Sequence, residues 1–91
     1  MEYQVLAIYD SAVDGFMRPL FAPSVGAGVR SFTDEVNRVD SEVNKHPSDY
    51  VFYRLGTWED VHGNFQPLED AEMVCRAVDV LVKCEEVRRV S

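Results

Sequence analysis

The feature that most constrains the fold is the ten-residue run Asp49–Trp58, in which β-branched and aromatic residues stand at both odd and even positions. Residues of these types favour a β-strand. A second run of the same kind, Tyr3–Tyr9, lies near the start of the chain. Odd and even positions of a strand point to opposite faces of the sheet, so strands that are apolar at both belong in a sheet whose two faces are both covered. We therefore expect one face of the sheet to pack on a helix, and the other is a candidate homodimer interface.

Between these two runs the sequence predicts a short edge strand and one helix. The strand spans residues 16–22 and contains Pro19, which has no backbone N–H and is therefore tolerated only at a sheet edge. Ser24 is the candidate N-cap of the helix. Apolar residues then recur on one helical face, at Val25, Val29, Phe32 and Val36. The polar segment 39–49, which contains Pro47, is predicted to be a loop.

After the second run the sequence predicts a hairpin. Asp60 suits the start of a type I turn, and Gly63 suits a left-handed position in the turn. The returning strand, Phe65–Leu68, contains Pro67 and is therefore an edge strand.

The C-terminal quarter allows two interpretations. Val74, Ala77, Val78 and Leu81 fit a helix that begins near residues 69–70, whereas residues 78–82 are β-branched enough for a strand. The helix is the expectation, and residues 82–91 are expected to fray. The predicted fold is a single α+β domain over residues 1–91. It has a mainly antiparallel sheet of about four strands, one packed helix and a C-terminal helix.

Composition and charge exclude several classes of protein. With 91 residues and 46% hydrophobic content, the chain can build one soluble core but not two, and it is too apolar to be disordered. No apolar run reaches the roughly 18 residues of a membrane span, and the first residues carry no positive charge typical of a secretory signal. The net charge of −7 is spread along the chain without a basic block. That distribution argues against strong non-specific DNA binding and suits a basic protein partner.

Groups that could support catalysis or hold a cofactor are few. No GxSxG motif occurs, and nothing pairs a serine with His46 or His62. The Gly26-Ala27-Gly28 segment lacks the lysine of a phosphate loop, so we expect it to serve helix-to-sheet packing. The adjacent carboxylates Asp34-Glu35 and Glu59-Asp60 are interpreted as a solvated face and a turn cap. We expect a protein that is not an enzyme.

The two cysteines do not suggest a metal site. Cys75 and Cys84 stand nine residues apart, with no paired histidine nearby. They are expected to be free thiols in a reducing compartment. No metal and no cofactor are expected.

Aromatic residues raise a nucleic-acid hypothesis. Tyr50, Phe52, Arg54 and Trp58 share one parity of the second strand, an arrangement on which bases can stack. The alternative is that these rings are the core face of the sheet. A cationic groove could be completed by three further residues: Arg18, Arg30 and Lys45. Arg30 could instead pair with Asp34 one helical turn away.

Several motifs, taken in order, resemble one known family. They are YQVLAIYD, RPLFAPSVGAGVRSFTDEVN, NKHPSDYVFYRLGTWED and GNF, and the resemblance covers roughly residues 3–80. Its most specific elements are Arg30 with Phe32, the following Glu35–Asn37, the segment Asn44–Pro47, and Leu55–Trp58. This set is similar to the small non-structural protein of gokushovirus-type microviruses, which are single-stranded DNA phages.

The resemblance implies a non-catalytic early protein of the host bacterial cytoplasm that assists genome replication, with single-stranded DNA as a ligand. The polar positions in matching motifs are Arg30, Asn44, Lys45, His46 and Arg54. The expected nucleic-acid-binding set is therefore Arg18, Arg30, Lys45, His46, Tyr50, Phe52, Arg54 and Trp58. The alternative, from the charge, is an acidic interaction module that binds or inhibits a host replication or defence factor. Partners could thus be DNA or a host or phage protein, but not a membrane, and the chain is expected to form a homodimer.

Overall fold

The computed structural model describes residues 1–82, which form the predicted α+β fold around an antiparallel sheet of five strands, where about four were expected. The elements in chain order are β1 Glu2–Asp10, β2 Gly15–Phe16, β3 Leu20–Ala22, α1 Val25–Val36, α2 Glu42–Lys45, a 3₁₀ turn Pro47–Asp49, β4 Tyr50–Glu59, β5 Phe65–Arg76 and α3 Ala77–Val80. No helix among them is long and apolar enough to cross a membrane.

The two predicted long strands form the centre of the sheet. β1 pairs with β4 along its whole length, and its other edge is shared by β2 and β3. The single strand predicted over 16–22 is thus split in two by Pro19. The backbone N–H of Met17 still donates to the carbonyl of Ile8, and pairing resumes at Leu20. β5 pairs only with β4 and is an edge strand, as predicted.

The core lies between α1 and one face of the sheet. Ser24 caps α1 through its Oγ, which accepts the backbone N–H of Ala27 at 3.1 Å. The predicted helical face is confirmed, since Phe32 stacks on Phe52 at a centroid distance of 4.6 Å. The buried core residues are Leu6, Ala22, Phe32, Val36, Val43, Tyr50, Phe52 and Ala77. Gly28 serves the expected packing, because a Cβ there would lie 2.9 Å from Leu6 Cδ1.

The loop predicted over residues 39–49 is wrong in part. Ser41 Oγ accepts the backbone N–H of Val43 at 3.1 Å and starts the short helix α2, which buries the side chain of Val43 in the core. The polar residues that suggested a loop are the exposed side of this one helical turn. Ser41, at the N-cap position, is the sequence signal for this helix.

The C-terminal helix exists but is much shorter than predicted. Residues up to Arg76 pair with β4, and only Ala77–Val80 are helical. The apolar residues of this segment have helical spacing, but the free edge of β4 offers backbone hydrogen-bond partners. The segment up to Arg76 therefore forms a strand. The Asn37 side chain then holds the chain after α3, donating to the carbonyl of Val80 and accepting the N–H of Val82. Of residues 82–91, which were expected to fray, Val82 is held by this contact, and residues 83–91, with Cys84, lie outside the described residues.

Candidate functional site: the open aromatic face

An irregularity in β4 decides which side chains share a face of the sheet. Gly56 lies opposite Val5 and Arg54 lies opposite Leu6, so Leu55 has no partner in β1. One extra residue reverses the alternation of side chains beyond it. Tyr50, Phe52 and Arg54 therefore lie on the α1 side, whereas Trp58 lies on the other side. The prediction that these four residues share one face is wrong for Trp58.

Gly56 is required at this irregularity. A Cβ at Gly56 would lie 2.4 Å from the carbonyl oxygen of Gln66 and 2.8 Å from the Cα of Pro67. The backbone of β5 can therefore approach β4 this closely only because the residue at this position is a glycine. Beside this crossing is a cleft of about 130 Å³ with an almost wholly apolar lining. Its lining residues are Val5, Leu55, Gly56, Thr57, Phe65, Gln66 and Pro67.

The face of the sheet opposite α1 carries most of the aromatic residues of the chain. Seven rings contact one another there in two groups, and we call this surface the open aromatic face. The first group is Tyr9, Phe16 and Tyr53, and the second is Tyr3, Phe21, Trp58 and Phe65. No helix or strand of residues 1–82 packs over these rings.

The rings shield the sheet but remain partly in water themselves. Val5 and Ala7, beneath the rings on β1, are buried. By contrast Phe16, Phe21 and Phe65 are 47%, 45% and 60% exposed, and Met73, opposite Tyr53, is 59% exposed. Contiguous exposed apolar side chains of this kind mark interaction surfaces in folded proteins.

Charge is nearly absent from the open aromatic face. Among the paired positions of residues 1–82 on this face, Arg76 is the only charged residue, and it stands at one end opposite Val51. Its guanidinium is engaged by Asp79 at 3.0 Å, a contact that also holds the pKa of the Asp79 carboxyl below its usual range. The face is therefore aromatic and apolar without a cationic groove.

The cations expected to contact DNA lie elsewhere. Arg18 lies in the link between β2 and β3, Arg30 on α1 and Lys45 on α2, and all three are exposed. Arg54 is on the α1 side, where its Nε donates to Gln4 at 2.6 Å and its Nη1 lies 3.9 Å from Glu72. The structure does not bring these four cations together with the exposed rings.

The remaining predicted site residues divide between core and surface. Tyr50 and Phe52 are buried in the core, which matches the alternative interpretation of that parity. His46 is exposed, with its Nε2 3.9 Å from Glu42. The ion pair expected between Arg30 and Asp34 does not form in the described structure.

Sequence reasoning placed Trp58 in the site but missed the other six rings of the open aromatic face. The available signal was Gly56, because a glycine inside a strand pattern indicates a bulge. A bulge at that point moves the later side chains of the strand to the opposite face of the sheet. It would have placed Trp58 on the same face as Tyr53 instead of the same face as Phe52.

Polar groups outside this face show structural roles. Glu59 caps the β4–β5 turn by accepting the backbone N–H groups of His62 and Val61, which lowers the pKa of its carboxyl. The turn-cap interpretation of Glu59 is therefore confirmed. Cys75 is a free, half-buried thiol, and burial raises its pKa, which makes it a poor nucleophile. Residues 1–82 contain no group of three or more metal-ligating side chains.

Comparison with known proteins identifies the family. The model of the family described as Phage ORF5 protein matches residues 3–80, which include the whole sheet apart from its first residue. No curated protein and no solved structure matches the chain significantly. Because the family model covers far more than half of the 91 residues, the chain belongs to the Phage ORF5 protein family and is a bacteriophage protein.

Proposed function

We propose that this phage protein is a non-catalytic accessory of single-stranded DNA genome replication in a gokushovirus-type phage, and that it acts in the host cytoplasm as an acidic protein-interaction module. The observation that carries the proposal is the distribution of charge over the fold. The chain has 16 acidic and 9 basic residues. The cations of residues 1–82 are dispersed, and several are already paired with acids.

Within residues 1–82, half of the six Lys and Arg side chains are already paired with carboxylates. Arg38 contacts both Glu35 and Asp40, and Arg54 and Arg76 have their own carboxylate partners. A protein that binds nucleic acid gains affinity by neutralising phosphates with clustered cations and releasing their counterions. Paired and dispersed cations provide little of that free energy.

Carboxylates, in contrast, gather along the exposed edge strand. Pro67 lies opposite Gly56 and Glu72 opposite Arg54, so residues 68–71 bulge out opposite Leu55 alone. This bulge and the residue after it carry Glu69, Asp70 and Glu72, which are exposed and which we call the acidic edge. A basic protein would be attracted to this edge, with an affinity that falls as salt screens the charges.

A second candidate function is weak binding of single-stranded DNA on the open aromatic face. It is favoured by the exposed rings of Phe16, Phe21 and Phe65, since each stacked base contributes about 1–3 kcal/mol. With Arg76 as the one cation among the paired positions of residues 1–82 on that face, and a net charge of −7, stacking would act against electrostatic repulsion. The acidic module is therefore the stronger candidate.

Affinity capture from phage-infected host cells tests the acidic module. The bait variants are a triple substitution of the acidic edge (Glu69→Gln, Asp70→Asn, Glu72→Gln) and a charge-matched control on the helical layer (Asp34→Asn, Asp40→Asn, Glu42→Gln). We expect the wild type and the control to retain one basic protein in stoichiometric amount. The acidic-edge variant, or about 500 mM NaCl, should release that protein. Equal retention by both variants would contradict the proposal.

Fluorescence anisotropy with a labelled oligodeoxythymidine decides between the two candidates. We expect no binding in low salt at protein concentrations of tens of micromolar. These concentrations are on the order of the dissociation constant that base stacking alone would allow. Binding that weakens with salt would favour the DNA candidate. In that case Arg30→Ala would flatten the salt dependence by about one counterion if Arg30 contacts phosphate.

A further inference from the structure

We propose that the open aromatic face is covered by a second copy of this chain, so that the protein is a homodimer of two sheets packed face to face. The inference goes beyond the proposed function, because the acidic edge and the open aromatic face are different surfaces. Each can therefore be tested without the other.

The first argument is the state of the rings in the single chain. Two-layer folds bury one sheet face under helices, and a second face with contiguous exposed aromatic residues is typical of a surface that another layer covers. Here Phe65 and Met73 are each about three-fifths exposed, at two separate points of the face. A second sheet stacked about 10 Å away would cover both points at once.

The second argument is charge. Two chains that each carry a net charge of −7 can associate only through a surface that brings no carboxylates into contact. The open aromatic face comes near to this condition, since Arg76 is its one charged residue among the paired positions of residues 1–82, and the carboxylate of Asp14, which accepts the hydroxyl of Tyr9, stands at its rim. On this face of residues 1–82 a phosphate chain would find one cation, Arg76, which Asp79 already engages, and a basic protein would find no cluster of carboxylates.

The third argument is area. β4 has 10 residues, and the sheet is four strands wide because β2 and β3 share one row. At the usual strand spacing and rise, such a face measures about 600 Å². Two copies would bury about 1,200 Å², which reaches the lower end of stable, specific interfaces.

The surface also has relief that a second sheet can fill. The cleft beside Gly56 is an apolar hollow, whereas the half-exposed ring of Phe16 lies away from it on the edge strand β2. In a twofold dimer every such contact occurs twice, so one projection that enters the hollow forms two equivalent contacts.

Electrostatics set the salt dependence of the dimer. Carboxylates stand at both ends of the β1–β4 pair, with Glu2 and Glu59 at one end and Asp10 at the other. The repulsion between two chains that each have a net charge of −7 is screened by salt, so the dimer should be tighter at high salt, which is opposite to the salt dependence of DNA binding.

Sedimentation velocity of the full chain tests the proposal, at about 1–100 µM protein and at about 50 and 500 mM NaCl. We expect a particle of twice the 10.4 kDa chain mass, with a lower dissociation constant at high salt. The chain has one tryptophan, Trp58, and it lies on the open aromatic face. Its emission should shift to the blue as protein concentration rises through the dissociation constant.

Three variants with the same added charge locate the interface. Phe65→Asp and Met73→Asp place a carboxylate on the open aromatic face, and each should raise the dissociation constant at least about 100-fold. Val39→Asp, at a residue 84% exposed in the connection from α1 to α2, should leave it unchanged. Circular dichroism confirms that each variant is folded.

Three results would overturn the proposal. The first is a wild type that stays monomeric at about 100 µM in both salts. The second is a dimer that both face variants leave intact, since its interface would then lie elsewhere. The third is a dimer that dissociates when an oligonucleotide is added, since DNA would then be the occupant of the face. None of these results bears on capture of a basic protein by the acidic edge.

Discussion

Gly56→Ala is the substitution whose effect the structure defines most sharply. The added methyl carbon would lie 2.4 Å from the carbonyl oxygen of Gln66 and 2.8 Å from the Cα of Pro67. Both contacts are with backbone, so no side chain can rotate away. β4 and β5 would have to separate at the point where the register of the sheet shifts.

The expected loss of stability combines two effects. Overpacking of a close-packed site costs about 1–3 kcal/mol. The backbone angle φ of +158° at Gly56 is also unfavourable for alanine, which adds about 1 kcal/mol or more. A total of about 3 kcal/mol is a large fraction of the roughly 5–14 kcal/mol expected for a domain of this size.

Urea unfolding followed by the emission of Trp58 measures this loss. With a slope near 1–1.5 kcal/mol per M, the midpoint should fall by about 2 M. All variants are compared at one protein concentration, because self-association would stabilise the folded state by mass action. Two control variants separate the two effects. Gly15→Ala meets no atom within 4 Å and should change stability by less than about 0.5 kcal/mol. Gly63→Ala has φ +74° but open space, and should cost about 1 kcal/mol.

A Gly56→Ala midpoint within error of the Gly63→Ala midpoint would refute the reasoning. It would mean that the backbone of β5 does not cross directly above Gly56. The irregularity that turns Trp58 to the open aromatic face would then also need another explanation.

Three further substitutions test the caps and tethers. Ser24→Ala removes the N-cap of α1 and should cost about 1 kcal/mol, a fall in Tm of about 4–8 °C, whereas Ser31→Ala on the exposed side of the same helix should not lower Tm. Asn37→Ala removes both side-chain hydrogen bonds, to Val80 and to Val82, and should lower the free energy of unfolding by about 1–2 kcal/mol. A thermal melt measures this loss, with Asn64→Ala at an exposed position as the control. An unchanged Tm of the Asn37→Ala variant would show that the tether contributes nothing. The N–H groups of His62 and Val61 hold the pKa of Glu59 below its ordinary value near 4.5, so its contribution to stability is present above that value and is lost as pH falls through the lowered pKa. Glu59→Gln should therefore flatten the fall of Tm between about pH 5 and pH 3, and an unaltered slope would contradict this role.

Local sequence patterns predicted most of the elements of this fold. The two long strands, the N-cap at Ser24 and the hairpin around Gly63 follow from residue types and spacing that act over a few residues. The edge positions of the strands with Pro19 and Pro67 follow from a missing backbone N–H. Such features depend on short-range sterics and hydrogen bonding, which are properties of the sequence itself.

Two outcomes depended on contacts between residues distant in the chain. Residues 69–76 have apolar positions compatible with a helix, but the free edge of β4 offered hydrogen-bond partners and made them a strand. The segment 39–49 became helical in part because Val43 could be buried under α1. In both segments the local preference was weak, so tertiary packing decided the structure.

The candidate site divides in the same way. The abundance of aromatic residues, the excess of carboxylates and the dispersal of the cations are properties of the sequence. Which rings share a face was decided by the one extra residue at Leu55, beside Gly56, because a shift of one position moves every later side chain of a strand to the other face. Gly56 marks in the sequence where such a shift can occur, but the pairing of β4 with β1 and β5 decided that it does occur. The tertiary structure thereby separated the buried Phe52 from the partly exposed Trp58 and placed seven rings on one uncovered surface of the sheet.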